Sequence, residues 1–198
     1  VIYVGLSLIC ALAYVSAGMG PFDAVVHAMT TIATGGFANY DASFAAFNPA
    51  VSYVACLFMI LAALPFVRFV QLSAGTARPM LRATQIHVFL VTAFIIVSLI
   101  TGWNLLQANA SGEEALRLAM FNSVSLLTGT GYANADYNQW GSYAIAVLFF
   151  TGLIGGCAGS TACSIKIFRF QLLFASIKTQ LQKTRSPHGV FTPRYAGR

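Results

Sequence analysis

Charge is scarce in this sequence. Only 8% of its 198 residues are Asp, Glu, Lys or Arg, and 58% are hydrophobic, whereas an ordinary soluble domain has about 25% charged residues. So few charges cannot cover a water-soluble fold, and the composition therefore predicts a membrane protein. The net charge of +6 does not indicate binding to nucleic acid, because the basic residues are divided among separate connections along the chain.

The sequence also lacks the patterns of an active site. It contains no cluster of His, Cys and carboxylate residues, no nucleophile elbow and no phosphate-binding loop, so we expect neither an enzyme nor a bound cofactor. The four cysteines lie in or beside apolar segments, and the last two lack both CxxC spacing and a nearby His. No zinc site is therefore expected, and inert, buried thiols are predicted at Cys10, Cys56, Cys157 and Cys163.

Long apolar segments are what the sequence has in abundance. They cover residues 2–17, 50–70, 86–106 and 142–174. The middle two approach the roughly 20 residues that a helix needs to cross a bilayer. The last segment is too long for one crossing and contains Gly155, Gly156 and Gly159. We therefore predict a helix that is broken within the membrane.

Two shorter, half-apolar stretches lie between the long segments. Residues 22–33 and 113–127 are each long enough for a helix of about three to four turns, which is too short to span a bilayer. Each stretch ends in a Thr/Gly cluster. Non-helical backbone is tolerated at membrane depth only where it lines a cavity or is buried in protein. The pattern predicts short re-entrant helices, each followed by a pore loop.

Charged residues are divided between two kinds of connection. All five acidic residues lie in the connections that contain the short stretches, where Arg117 is the only basic residue. The positive-inside rule places the other, basic connections in the cytoplasm and the short helices on the opposite side. The basic residues on which this orientation rests are Arg68, Arg78, Arg82, Lys166, Arg169, Lys178, Lys183, Arg185, Arg194 and Arg198.

An internal repeat predicts the fold class. Residues 36–41 (GFANYD) align with residues 131–136 (GYANAD) at an offset of 95, which also aligns the flanking apolar segments. We predict an all-α integral membrane protein built from parallel repeats of transmembrane helix, re-entrant pore helix with filter loop, and transmembrane helix. The predicted parts are a repeat with a truncated first helix (1–71), a cytoplasmic linker (72–84), a repeat with a broken last helix (85–178) and a cytoplasmic basic tail (179–198).

The two Thr/Gly loops have the chemistry of a cation filter. Glycine allows backbone conformations that point successive carbonyls at one axis, and rings of carbonyls can replace the hydration shell of a potassium ion. The preceding helix C-terminus adds partial negative charge. One such string alone is typical of an ordinary turn, but two in equivalent places favour a filter. The predicted ion-binding residues are Thr34, Gly35, Gly36, Gly129, Thr130 and Gly131.

Two pairs of charged residues have two interpretations each. Asp41 and Asp136 follow the filter glycines, where they can concentrate cations at the outer mouth or simply cap turns. Lys166 and Arg169 follow the break in the last helix. They can contact loop carbonyls at the inner mouth, or extend toward cytoplasmic phospholipid.

Two stretches of the sequence resemble a known family. Residues 27–44 (HAMTTIATGGFANYDASF) and 155–170 (GGCAGSTACSIKIFRF) are similar to the TrkH/KtrB superfamily of potassium uptake proteins, and nearest to its TrkH branch. The resemblance implies four helix–pore-loop–helix repeats around one pore, of which this chain matches the second and third. We therefore expect a fragment of a longer polypeptide, in preference to two copies that combine to supply four loops.

The resemblance also implies a gate. In the family, the broken second helix of the third repeat forms an intramembrane loop under the filter, and that loop would be residues 155–166 here. Ala162, Cys163 and Ser164 stand where the family usually has glycines, which reduces backbone freedom. The expected gate residues are Gly155, Gly156, Gly159, Ser160, Thr161 and Lys166.

Function and partners follow from the resemblance as expectations. The chain would take up K⁺ across the bacterial inner membrane with its C-terminal tail in the cytoplasm, as a gated channel or coupled to H⁺ or Na⁺. Its partners would be membrane lipid, a second copy of the full-length subunit and a cytosolic nucleotide-binding regulatory subunit of the TrkA type. The alternatives are a sodium-conducting relative and a non-conducting membrane scaffold that docks a cytosolic partner through its basic loops.

Overall fold

The computed structural model describes residues 1–76, 83–107 and 112–185, and these are predominantly α-helical. The all-α class predicted from the sequence is therefore confirmed. Two short 3-10 turns lie at Ser43–Ala46 and Tyr137–Trp140. The α-helices are α1 (Ile2–Ser16), α2 (Pro21–Ile32), α3 (Pro49–Ala62), α4 (Phe66–Ser73), α5 (Thr84–Leu106), α6 (Gly112–Thr128), α7 (Ser142–Leu153) and α8 (Ile167–Arg185).

Two units of similar order make up most of the fold. The first unit contains α1, the short helix α2, a loop and α3; the second contains α5, the short helix α6, a loop and α7. Within each unit the short helix packs against the helix before it, and α6 also packs against α3 of the first unit. Apolar side chains of α6 and its loop, including Phe121 and Tyr132, complete the core of the first unit. The two loops are thereby brought close together.

Local sequence explains where the short helices begin. Pro21 occupies the first turn of α2, where its missing N–H has no intrahelical partner to lose. Asp23 in α2 and Glu113 and Glu114 in α6 lie in the first turns, where the helix dipole favours negative charge. Each helix ends where the chain enters left-handed conformations at the Thr/Gly cluster.

The apolar segment 50–70 is not one straight helix, contrary to our prediction. It is divided into α3 and α4, which meet at an angle of 90°. Pro65 lies at the break, and proline cannot donate the hydrogen bond that a continuous helix needs there. The last carbonyls of α3 are consequently free for other partners.

One described helix, α5 with 23 residues, is long and apolar enough to cross a membrane by itself. The bent pair α3 and α4 meets the same criterion only when taken as one span, and α1 and α7 are shorter apolar helices. Large apolar side chains point outward from these helices, as at Leu12, Phe94 and Phe149. Such a surface is stable against lipid rather than water.

The predicted break in the last apolar segment is present. It follows α7 and consists of residues 154–166, which we call the α7–α8 loop. Its ends pair as two short parallel strands, Ile154–Gly155 and Ile165–Lys166. A Cβ at Gly155 would lie 2.1 Å from the Cys163 carbonyl oxygen, so only glycine permits this pairing.

Some of the sequence predictions fall outside the described residues or across an element. Arg78 and Arg82 of the linker lie outside them, as do Arg194, Arg198 and the rest of the tail beyond residue 185. The predicted boundary at residue 178 lies inside α8, which continues to Arg185.

Candidate ion filter and gate loop

The first loop (residues 34–38) and the second loop (residues 129–133) leave the C-termini of α2 and α6 in similar ways. The Gly35 N–H donates to the Thr30 carbonyl at 2.7 Å, and the Thr130 N–H donates to the Ser125 carbonyl at 2.9 Å. In a trans peptide the carbonyl points opposite to the N–H. The Thr34 carbonyl belongs to the same peptide group as the Gly35 N–H, and the Gly129 carbonyl to that of the Thr130 N–H. Both carbonyls therefore point away from the helices.

Equivalent positions of the two loops adopt left-handed backbone conformations. Thr34 and Gly36 have φ values of 52° and 71°, and Gly129 and Gly131 have values of 72° and 86°. The offset of 95 residues relates the first pair to the second. A left-handed backbone conformation is uncommon for Thr. Side-chain hydrogen bonds from Thr34 Oγ1 to the carbonyls of Ala33 (2.7 Å) and Thr161 (2.9 Å) stabilise it here.

The two loops touch each other at Gly36. A Cβ at this position would lie 1.9 Å from the Thr130 carbonyl oxygen, so no other residue fits without displacing the second loop. Gly131 differs, because a Cβ there would meet nothing within 4 Å. The structure therefore brings all six predicted residues together, in direct succession or in contact, and Gly131 differs only in the open space that an added side chain would enter.

Hydroxyl groups on the short helices bind equivalent carbonyls in the two loops. Thr30 Oγ1 donates to the Phe37 carbonyl at 3.0 Å, and Ser125 Oγ donates to the Tyr132 carbonyl at 2.7 Å. The 95-residue offset relates donor to donor and acceptor to acceptor. These two donors are absent from the site residues predicted above, although the alignment of Thr30 with Ser125 was the signal that could have identified them.

The α7–α8 loop is held by the break between α3 and α4. The Cys157 N–H donates to the Ala63 carbonyl at 3.0 Å, and Thr161 Oγ1 donates to the Ala62 carbonyl at 3.1 Å. These are carbonyls that a continuous helix would have used. Packing is close as well, since a Cβ at Gly156 would lie 2.7 Å from that of Ala162.

Lys166, the last residue of the α7–α8 loop, contacts other residues of the same loop. Its Nζ lies 3.4 Å from both the carbonyl oxygen and Oγ of Ser160, and it also donates to the Ala162 carbonyl. Of the two interpretations of Lys166, the structure supports contact with loop carbonyls. The ammonium group is only partly buried, and its hydrogen bonds join the C-terminal end of the loop to its middle.

The α7–α8 loop also lies directly against both Thr/Gly loops. Thr34 Oγ1 donates to the Thr161 carbonyl at 2.9 Å, so the first loop is hydrogen-bonded to it. In the second loop, a Cβ at Gly129 would lie 2.8 Å from Cys163 Cβ. The residues predicted for filter and gate are therefore neighbours in space.

Three of the four predicted buried thiols are buried, but Cys163 is exposed. Cys10, Cys56 and Cys157 pack in helices or against α3, whereas Cys163 lies in the turn of the α7–α8 loop beside Gly129. The prediction of burial was wrong there because an apolar sequence context does not reveal that the backbone turns away from the core.

Asp136 caps a turn after the second loop. Its carboxylate accepts hydrogen bonds from the Gln139 side chain at 3.0 Å and from the Asn138 N–H at 3.1 Å. These bonds hold the pKa of Asp136 below its usual range, and the carboxylate stays ionised at neutral pH. The capping interpretation of Asp136 is thus confirmed, while its attraction for cations and that of the exposed Asp41 remain predictions.

Among the described residues, no group of three or more His, Cys, Asp or Glu side chains is placed to hold a metal ion. The two loops themselves contain no acidic side chain, so the oxygen atoms they offer are uncharged backbone and hydroxyl oxygens. Weak, numerous oxygen ligands of this kind suit an ion that must bind and then leave.

The fold and the site define a class: an all-α membrane protein in which short helices carry paired Thr/Gly loops against the α7–α8 loop. The sequence model of the TrkH family, described as a cation transport protein, matches residues 79–198. The chain belongs to this family.

Individual relatives support the assignment. The chain is 42% identical over 196 residues to the Trk system potassium uptake protein TrkI of Halomonas elongata, covering 98% of the chain and 40% of TrkI. It is 32% identical to the Trk system potassium uptake protein TrkH of Vibrio parahaemolyticus over 208 residues, covering 99% and 41% respectively. The chain thus spans about 40% of the length of these curated relatives.

A solved structure matches the fold. The crystal structure of the potassium transporter TrkH from Vibrio parahaemolyticus aligns with a TM-score of 0.91 at 30% sequence identity. The alignment covers 99% of this chain and 43% of that chain.

Proposed function

We propose that this chain forms part of the pore of a Trk-type potassium uptake system in a bacterial inner membrane. The observation that carries the proposal is the pair of loops with equivalent left-handed positions that touch each other at Gly36 and Thr130. The names of the relatives support potassium as the transported ion.

In the proposed filter, backbone carbonyls replace the water around a dehydrated potassium ion. The carbonyls belong to Thr34, Gly35, Gly36, Gly129, Thr130 and Gly131. The C-termini of α2 and α6 add partial negative charge nearby. Neither loop contains a basic residue that would repel a cation. Sodium is smaller, so loops held at a fixed separation coordinate it less well.

In the proposed gate, the α7–α8 loop obstructs the path beneath the filter. Its contacts with Thr34 and Gly129 support this position, and Lys166 stabilises the obstructing arrangement through the Ser160 and Ala162 carbonyls. Opening requires these bonds to break. The residues that move are Gly155, Gly156, Gly159, Ser160, Thr161 and Lys166.

Orientation and partners complete the proposal. The basic residues around α4 and along α8 face the cytoplasm by the positive-inside rule. The full-length subunit forms a homodimer, contacts lipid and binds a TrkA-like nucleotide-binding subunit at this cytoplasmic face. Uptake proceeds as a gated channel or with coupled H⁺ or Na⁺.

Rubidium uptake tests the proposal. The full gene that encodes this sequence is expressed in cells that lack their own potassium importers, and uptake is compared with that of a Gly131→Ser variant. We expect uptake that sodium does not block, and we expect the variant to weaken it or to admit sodium, because Gly131 has a φ of 86° that Ser adopts poorly.

A Gly102→Ser variant is the matched control, because Gly102 lies in α5 and a Cβ at this position would meet nothing within 4 Å. It should transport like the parent. Absence of uptake from a well-expressed, membrane-inserted parent supplied with its cytosolic partner would overturn the proposal and favour the scaffold alternative.

A further inference from the structure

Tyr132 connects the second loop to the first unit. It directly follows Gly131, yet its side chain is only 2% exposed and packs in the core of the first unit. Its ring centroid lies 4.4 Å from that of Phe44. In the first unit the equivalent residue is Phe37, which is 75% exposed and has no hydroxyl group. Phe37 therefore offers no equivalent hydroxyl connection from the first loop to the second unit.

The Tyr132 hydroxyl lies among oxygen atoms of α2. It hydrogen-bonds to Thr30 Oγ1 and lies 3.3 Å from the His27 carbonyl and 3.4 Å from Thr31 Oγ1. Thr31 Oγ1 in turn lies 2.8 Å from the hydroxyl of the buried Tyr14 on α1. Tyr132, Thr31 and Tyr14 are buried and Thr30 is half-buried. A network of this kind restrains its members, since loss of a bond would leave a buried hydroxyl with fewer partners.

Thr30 links the Tyr132 hydroxyl to the first loop. The same Oγ1 that meets the Tyr132 hydroxyl also donates to the Phe37 carbonyl, directly after Gly36. A side chain of the second loop is thereby joined through one threonine to the backbone of the first loop. A second link runs close by, where the Phe44 N–H donates to the Ala133 carbonyl at 2.9 Å.

We infer that Tyr132 is a specificity-determining positioning residue, whose hydroxyl sets the separation of the two loops through Thr30. The inference rests on the proposed function. A fixed separation favours the larger potassium ion, because carbonyls that cannot move inward coordinate sodium poorly. Without the hydroxyl bond the loops can approach each other, and sodium then competes for the site.

The test is sodium inhibition of rubidium uptake by a Tyr132→Phe variant of the full-length protein. Phenylalanine keeps the ring packing and removes only the hydroxyl. We expect the sodium concentration that halves uptake to fall by about fivefold, the effect of losing one hydrogen bond of ordinary strength. Total abundance does not affect this ratio, so a general loss of folded protein would not imitate the result.

Tyr14→Phe is the matched control. Tyr14 is also buried and also hydrogen-bonds to Thr31, but it lies on α1 and has no bond to either loop among the contacts described. Its substitution should leave sodium inhibition unchanged. An equal shift in both variants would mean that any loss from the buried network has this effect, and would overturn the specific role of Tyr132.

A Thr30→Val variant provides an independent measurement. It removes the hydroxyl through which the connection passes, so it should lower the half-inhibitory sodium concentration as Tyr132→Phe does, and the double variant should add no further change. This variant also decides the matter if Tyr132→Phe does not reach the membrane. Unchanged sodium inhibition in the single variants, beside a parent that takes up rubidium, would overturn the inference alone. A parent without uptake would overturn the proposed function instead.

Discussion

At the scale of single residues, Thr34 performs two tasks at once. It accepts a left-handed backbone conformation, with φ of 52°, and its hydroxyl donates to the Thr161 carbonyl of the α7–α8 loop. The first loop and the proposed gate thus share one hydrogen bond. Movement of either loop is expected to affect the other, because a partly buried carbonyl that loses its donor is unfavourable.

Substitution of Thr34 tests this link. Valine has nearly the shape of threonine but no hydroxyl. Because opening of the proposed gate requires the Thr34–Thr161 bond to break, Thr34→Val should raise the rubidium uptake rate by about fivefold, as expected for one lost hydrogen bond. Thr34→Ser keeps the hydroxyl and should behave like the parent. Uptake rates per membrane-inserted protein provide the measurement, and equal rates for the valine and serine variants would contradict the role of the hydroxyl.

Residue types indicate some of the site but not all of it. The unusual backbone of the two loops was predictable, because left-handed positions favour glycine. That their carbonyls bind an ion stays a prediction. Tyr132 was not predictable as a connection between units. Its sequence neighbours resemble those of Phe37, and only the packing of α6 against α3 shows that one ring is buried and the other exposed.

At the scale of elements, the bend between α3 and α4 creates the support for the α7–α8 loop. Ending α3 at Ala62 frees its last carbonyls, and Cys157 and Thr161 bind two of them. Hydropathy alone predicts one helix here, because the apolar run continues through Pro65. Hydropathy reports burial or lipid contact and not backbone direction, so the proline is the better guide to the bend.

Lys166 allows the loop's stability to be tested. Its ammonium group donates to carbonyls of Ser160 and Ala162, and hydrogen bonds to charged groups contribute about 1.5–3 kcal/mol. Lys166→Gln should therefore weaken the proposed closed arrangement of the loop and raise rubidium uptake, measured without the cytosolic partner, by about tenfold or more.

Lys178→Gln is the control for charge alone, because Lys178 is an exposed residue of α8. Its uptake should equal that of the parent. Lower or unchanged uptake by Lys166→Gln, at equal membrane abundance, would show that Lys166 does not hold the loop closed.

At the scale of the whole molecule, the internal period predicted more of the fold than composition did. Composition indicated only a membrane protein, whereas the 95-residue offset related α2 to α6 and the first loop to the second. The contact between the units could not be predicted from the sequence, because a repeat gives the order of elements and not their packing. Because of that contact, at Gly36 and Thr130, the first and second loops form one candidate site.

The most direct test of the account is rubidium uptake, with and without sodium, by the full-length protein carrying Gly36→Ala beside Gly102→Ala. A methyl group at residue 36 would lie 1.9 Å from the Thr130 carbonyl oxygen, whereas one at residue 102 meets nothing within 4 Å. Overpacking typically costs about 1–3 kcal/mol, so we expect Gly36→Ala to reduce selective uptake by about tenfold or more. Gly102→Ala should transport like the parent. Normal, sodium-resistant uptake by Gly36→Ala would contradict a filter formed where the two loops meet.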